Sequence, residues 1–196
     1  MNVLVIDVGG NNVKLLATGE EERRKFSSGP GLSATAMVEQ VAGLTADWRY
    51  DRVSLGYPGP VIDNKIVFEP RNLGTGWLGF DFEAAFDRPV KLINDAAMQA
   101  LGGYRGGRML FLGFGTGLGT AMVIDGIPIA TELSHLPFEG STYEKYVGRA
   151  ALKRLGPKKW SRRALAVIEY FREGLYPEDI LLGGGNVKKL PELPPG

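Results

Sequence analysis

Cysteine is absent from this 196-residue chain, which removes disulfides, thiolate metal sites and thiol nucleophiles together. A reducing compartment accords with that composition. No apolar run approaches the ~18 residues that a membrane span requires. The opening, Met1-Asn2-Val3-Leu4-Val5-Ile6-Asp7, has neither the basic start nor the small-residue cleavage site of a secretory signal. Net charge is also missing: 23 Lys and Arg offset 22 Asp and Glu, so no global field draws in nucleic acid or an anionic membrane. Any anion must be held by a local site. Histidine occurs once, at His135. The expectation is a soluble cytoplasmic protein without a nucleic-acid or membrane partner.

Glycine is in surplus. There are 28, against about 14 at the usual ~7%, and many are clustered. Three clusters directly follow apolar, β-type runs: Gly9-Gly10, Gly115/Gly117/Gly119 and Gly183-Gly184-Gly185. Such clusters mark tight turns or places where a ligand approaches the backbone.

The hydrophobic pattern predicts strands over 3–6 and 13–16 around Gly9-Gly10-Asn11-Asn12, where Gly and Asn tolerate positive φ. A third strand over 23–28 follows, then a helix capped by Ser33 with Met37, Val38, Val41 and Leu44 on its apolar face. A strand over 52–57 ends at Pro58-Gly59-Pro60. The stretch to about 86 reads as irregular, with Trp77 exposed. A strand over 89–93 leads to Asn94-Asp95 at the start of a helix. The pattern then recurs: strands over 109–114 and 121–124 around a glycine turn, an Asp125-Gly126 hairpin and a strand over 127–130. Helices over 142–155 and 161–173 and a strand over 179–182 complete the chain. Strand, glycine-rich hairpin, strand, strand, helix thus occurs twice, which implies two lobes, 1–103 and 104–196, meeting at a cleft and hinged through Gly-Gly-Tyr-Arg-Gly-Gly at 102–107.

Several residues in this frame carry chemistry. At the first hairpin, backbone N–H groups of Gly9, Gly10, Asn11 and Asn12 can form an anion nest, Asp7 can hold Mg²⁺ directly or through water, and Lys14 can reach a phosphate oxygen. A hairpin that merely happens to be rich in Gly and Asn explains the same letters. Gly115-Thr116-Gly117-Leu118-Gly119 is either a second phosphate cradle or a tightly packed turn. The segment ending in Gly184 and Gly185 either lies flat against a nucleotide base or simply ends a strand. Together, three such turns suit a polyanionic donor bound without a Walker lysine loop. Asn94-Asp95 offers a carboxylate able to take a proton from a hydroxyl, or an ordinary helix cap. Glu132, His135 and Glu144 suit a ring of sugar hydroxyls, or are structural. Lys153, Arg154, Lys158, Lys159, Arg162 and Arg163 form either a solvated helix face or a positive track for a long phosphate chain.

These motifs resemble the ROK family (repressors, open reading frames and kinases), most closely its polyphosphate-glucokinase-like branch. The resemblance runs through D-V-G-G-N-N-V-K at 7–14, Y-P-G-P at 57–60, N-L at 72–73, N-D-A-A at 94–97, G-T-G-L-G at 115–119, T-E-L-S-H at 131–135 and L-G-G-G-N-V at 182–187. It implies an α/β chain of the actin-like ATPase, ribonuclease H-like fold, with two lobes and a mixed sheet in each. It implies Asp95 as the base and Asn94, Glu132, His135 and Glu144 as sugar ligands, joined by Asn72. Asp7, Gly9, Gly10, Lys14 and the Gly115 loop would hold phosphates and Mg²⁺. The substrates implied are a hexose, glucose above all, and ATP or polyphosphate. No residue fixes the oligomeric state, a homodimer included.

The chain departs from the family in four ways. The cysteine-rich zinc motif found after the histidine in many members is missing, so zinc is not expected. Asn11-Asn12 replaces the usual Ser or Thr after the double glycine. No winged-helix segment precedes Met1. The chain stops at Pro194-Pro195-Gly196, where relatives continue into a terminal helix, so truncation on the nucleotide side is an expectation. A non-catalytic sugar-binding or regulatory module is the alternative reading.

Overall fold

The computed structural model describes residues 1–191; the Pro194-Pro195-Gly196 terminus lies outside the described residues. The chain divides into two compact units, Met1–Asp95 and the chain from Ala96 on.

The first unit opens with β1 (Val3–Val8), β2 (Asn12–Ala17) and β3 (Arg24–Ser27). Strict alternation puts Leu4, Ile6 and Val8 of β1 and Val13, Leu15 and Ala17 of β2 on one buried face, as a half-buried sheet demands. Helix α1 (Ala34–Leu44) begins where Ser33 accepts from Ala36 N at 3.2 Å, satisfying one of the free N–H groups of the first turn. Its Met37 and Val41 close over the sheet core. Next come β4 (Arg52–Tyr57), a small ribbon of β5 (Val61–Ile62) and β6 (Lys65–Ile66), helix α2 (Phe82–Phe86) and β7 (Val90–Asn94). The sheet order is β3-β2-β1-β4-β7, with the meander antiparallel and β1, β4 and β7 parallel.

Helix α3 (Asp95–Gly103) carries the chain into the second unit, which holds β8 (Arg108–Phe114), β9 (Leu118–Ile124), β10 (Ile127–Thr131), the ribbon β11 (Pro137–Phe138) and β12 (Ser141–Thr142), α4 (Tyr143–Val147), α5 (Arg149–Leu175) and β13 (Asp179–Gly183). Its sheet runs β10-β9-β8-β13, with β13 parallel to β8. That is the order and direction of β3-β2-β1-β4, so the repeated pattern seen in the sequence is a repeated sheet. The core gathers Leu110, Leu112 and Phe114 against Trp160, Ala164 and Val167 of α5. Trp160 meets Phe114 edge-on at 5.8 Å and donates its indole N–H to Val147 O at 2.7 Å.

Two expectations are corrected. Trp77 is fully buried rather than exposed, because its ring packs on Tyr57 and Phe82 while Nε1 donates to Leu32 O at 3.2 Å. The two expected helices break elsewhere. Buried Gly148 separates α4 from α5, and α5 runs on through a kink at Gly156 (φ 73°) and Pro157, where the ring of Pro157 cannot sit in an uninterrupted helix.

Candidate functional site

In the first unit the β1–β2 register sets Asp7 opposite Lys14, and Lys14 Nζ lies 2.8 Å from Asp7 Oδ2. The other oxygen, Oδ1, is buried and has no hydrogen-bond partner. A buried acceptor of this kind costs stability unless something completes it. One carboxylate oxygen with the rest of the shell left to water and phosphate is also what Mg²⁺ takes; among the described residues no group of three metal-binding side chains exists.

The hairpin tip differs from the expectation. None of Gly9, Gly10, Asn11 or Asn12 has positive φ, and the Gly9 N–H is spent on Asn12 O at 3.1 Å. Ser28 is the reason. Its Oγ donates to Gly9 O at 2.5 Å and its N–H to Asn11 O at 3.0 Å, so the tip is laced to the end of β3 instead of closing as a tight turn.

Asn72 is brought to this tip: a Cβ on Gly10 would sit 3.6 Å from the Asn72 Cβ. The loop that carries Asn72 is fixed by a residue the sequence did not single out. The Glu69 carboxylate accepts from Gly76 N, Trp77 N and Leu78 N at 3.1, 3.2 and 3.3 Å. Desolvation pushes Glu69 up, but these three backbone donors outweigh it and hold its pKa below the usual carboxylate range. Tyr57 steadies the loop start by donating to Phe68 O at 2.8 Å. Burial first, and the Glu69 charge second, push the Tyr57 phenol up, so it remains a donor.

At the end of β7, Asn94 is buried and its Nδ2 donates to Gly59 O at 3.1 Å, which fastens the Pro58-Gly59-Pro60 turn. Asp95 follows as the first residue of α3 and is half-buried. Its carboxylate sits in the first turn of that helix. A cavity of about 670 Å³ in this unit, lined by Trp77, Phe80, Phe82, Val90 and Leu92 among others, contains none of the candidate residues.

In the second unit, β9 and the segment after β10 are joined by Thr120 and Thr131. Thr120 is buried, donates to Thr131 O at 3.0 Å, and accepts from Thr131 Oγ1 at 2.8 Å and Leu133 N at 3.3 Å. This anchors a single 3-10 turn, Leu133–His135, that presents Glu132 and His135. Glu144 enters from the first turn of α4. Glu132 Oε2 lies 3.2 Å from His135 Nε2, and Glu144 Oε2 lies 3.6 Å from His135 Nδ1. All three side chains are partly exposed.

The glycine loop between β8 and β9 abuts this cluster. The space that a Cβ on Gly117 would need is filled by the Glu144 carboxylate. Thr116, exposed at the loop tip, gives its carbonyl to Arg149 N at 3.0 Å, and Gly115 N donates to Gly117 O at 3.1 Å. Gly119 approaches Ala96, whose Cβ would be 3.2 Å from a Cβ there. The Gly184 turn is joined to the same loop by Asn186, whose Nδ2 donates to Gly115 O at 2.9 Å. Gly184 itself has φ 87° and lies on the Phe114 backbone, with no room for a side chain; strand packing explains that glycine without a ligand. Gly185 has open space around it.

A model of the ROK family matches residues 3–142. The chain belongs to the ROK family. It is 26% identical over 207 residues to the polyphosphate glucokinase of Mycobacterium tuberculosis (strain H37Rv), covering 94% of this chain and 77% of that one. Among solved structures it is similar to an inorganic polyphosphate/ATP-glucomannokinase from Arthrobacter sp. strain KM, with TM-score 0.79, 24% identity, and coverage of 96% of this chain and 87% of that one. It is equally similar in fold to a ROK family glucokinase from Streptomyces griseus solved with glucose and AMPPNP, with TM-score 0.79, 18% identity, and coverage of 96% and 85%. The fold is therefore the actin-like α/β fold of the ROK sugar kinases, with a mixed sheet in each unit. Within this ROK chain the family match stops at Thr142; Glu144, α5 and the Gly184 turn follow it. Among the described residues no helix is long and apolar enough to cross a membrane.

Sequence reasoning missed Glu69, Ser28, Thr120 and Asn186. Only Asn186 carried a signal, because it closes the final glycine run.

Proposed function

We propose that this chain is a cytoplasmic sugar kinase that moves a phosphoryl group from ATP or polyphosphate to a hexose hydroxyl, with glucose to glucose 6-phosphate as the favoured reaction. The observation that carries this reading is the position of Glu144, which faces His135 with one oxygen and rests on Gly117 of the glycine loop. One side chain thereby joins an array suited to sugar hydroxyls with a loop suited to phosphate. Family membership and the glucose kinases among the relatives support it.

In this reading Glu132, His135 and Glu144 bind the sugar, with Asn72 and Asn94 as further ligands. Asp95 accepts the proton as the hydroxyl oxygen attacks phosphorus. A new O–P bond forms while the bond to the rest of the donor breaks, and ADP or a polyphosphate one unit shorter departs with the electron pair. Asp7, Gly9, Gly10, Asn11, Asn12 and Lys14 serve the donor in the first unit; Gly115, Thr116, Gly117 and Gly119 serve it in the second, with Gly184 and Gly185 on the nucleotide side. The partnerless Asp7 Oδ1 fits Mg²⁺, which would neutralise charge on the donor phosphates.

A second reading, a sugar-binding module without turnover, is favoured by the Gly9 N–H, which is already spent on Asn12 O. Glucose 6-phosphate formation with ATP and with polyphosphate, run in parallel, separates the two. Turnover with either donor is expected. Glucose binding without product from either would establish the module.

A further inference from the structure

We propose that the solvent face of α5 is a docking track for a polyphosphate chain that runs on from the glycine loop of β8–β9; the proposal rests on the donor reading above. Between Glu144 and Glu169 the chain has no acidic residue, yet Lys153, Arg154, Lys158, Lys159, Arg162 and Arg163 all fall there. The rest of the chain carries 17 Lys and Arg against 22 Asp and Glu, so this is a strong local segregation of charge.

The fold leaves most of these cations at the surface. Ala151, Trp160, Ala164 and Val167 turn into the core, while Lys153, Arg154, Lys158, Lys159 and Arg162 are exposed. None of those five side chains forms an ion pair or hydrogen bond among the described residues. Arg163 is held over the Tyr146 ring, 4.2 Å from its centroid. The kink at Gly156-Pro157 divides these cations into Lys153 and Arg154 before it and Lys158, Lys159, Arg162 and Arg163 after it.

The track has an origin. The first residue of α5, Arg149, donates its N–H to Thr116 O at 3.0 Å. A Cβ on Gly148 would strike the same carbonyl at 2.9 Å and lie 3.5 Å from the Gly117 Cα. The helix therefore starts on the glycine loop. The stretch from Lys158 to Arg163 past the kink rises about 7.5 Å, and with Lys153 and Arg154 it offers six cations, more charges than the three phosphates of ATP can engage singly. A flexible polyanion with charge on every unit suits such a row, because each phosphate neutralised releases counterions.

The test uses the full chain, with long-chain polyphosphate, tripolyphosphate and ATP as probes. The variant is Lys158→Ala/Lys159→Ala/Arg162→Ala; the charge-preserving control is Lys158→Arg/Lys159→Arg/Arg162→Lys. Binding of long-chain polyphosphate should weaken at least tenfold in the alanine variant, and its log–log salt slope should fall by about 2, at roughly 0.7 per lost phosphate contact. The control should bind as wild type, and KM values for ATP and tripolyphosphate should not move. Equal loss with all three probes, no change with the long chain, or single-stranded RNA bound as tightly as polyphosphate would each overturn the track. Absence of turnover with every donor would count against the kinase reading; the track then stands or falls on the binding data alone.

Discussion

Glu144 occupies the volume that a side chain on Gly117 would need, so this glycine serves a carboxylate rather than a turn. Gly117→Ala should push Glu144 off His135, because the carboxylate is the movable end of the pair and the loop backbone is not. Glucose affinity should fall about tenfold or more, the loss of a charge-assisted contact, while the fold survives. Calorimetric titration with glucose, set beside a thermal melt, checks this. Undiminished glucose binding would show that Glu144 is not a sugar ligand.

Asp95 stands in the first turn of α3 at the end of β7. As the proposed base it should be replaceable by Asn without a change in shape. Asp95→Asn is expected to lower kcat by about 10²–10⁴ with glucose binding retained. Steady-state kinetics and glucose titration on the same preparation test the split. Near-normal turnover would remove Asp95 from the mechanism and leave the ordinary role of an acid at a helix start.

Glu69 holds the Asn72 loop through three backbone N–H groups, and its folded pKa is lowered. A carboxylate lowered on folding adds stability above its unfolded value, about 4.3, and loses that contribution as pH falls through the folded value. Wild type should therefore melt higher than Glu69→Gln at neutral pH, and the gap should close on acidification below about pH 4. Asp47 has the same sign: the hydrogen bond from Arg24 outweighs desolvation and holds it at about 2. Its advantage over Asp47→Asn should persist until the pH nears that value. A Glu69→Gln gap that stays constant down to acid pH would mean the clamp is not ionic.

Most of the frame was legible in the sequence, because it rests on short-range signals. Short apolar runs flanking glycine turns gave β1, β2, β8 and β9, Ser33 marked the start of α1, and Asp125-Gly126 marked a hairpin whose two residues both have positive φ. The site was legible as letters but not as bonds. Glycine predicts permissiveness, yet Gly117 is set by Glu144 and Gly184 by the Phe114 backbone, contacts made across long stretches of sequence. The tip at Gly9-Gly10 was misread because its shape depends on Ser28, one strand further on. Glu69 gave no sign at all, since nothing in the run Phe68-Glu69-Pro70 says that three amides seven to nine residues later will point at it.

Trp77 shows the same limit and supplies its own test. A tryptophan amid Gly74, Gly76 and Gly79 looks like a loop tip, yet it is completely buried between Tyr57 and Phe82, and both its Nε1 and the Gly74 N–H donate to Leu32 O. The Asn72 loop is thus pinned to the core by an aromatic anchor. Trp77→Ala should cost about 3–5 kcal/mol, as large aromatic truncations in a core do. Trp77→Phe keeps much of the packing and removes one buried hydrogen bond, leaving the Leu32 carbonyl its Gly74 donor, so its cost should be nearer 1 kcal/mol from that bond. Urea unfolding of the two variants measures both values. If Trp77→Ala cost less than Trp77→Phe, or if neither moved the midpoint, the ring would not be the anchor that the packing describes.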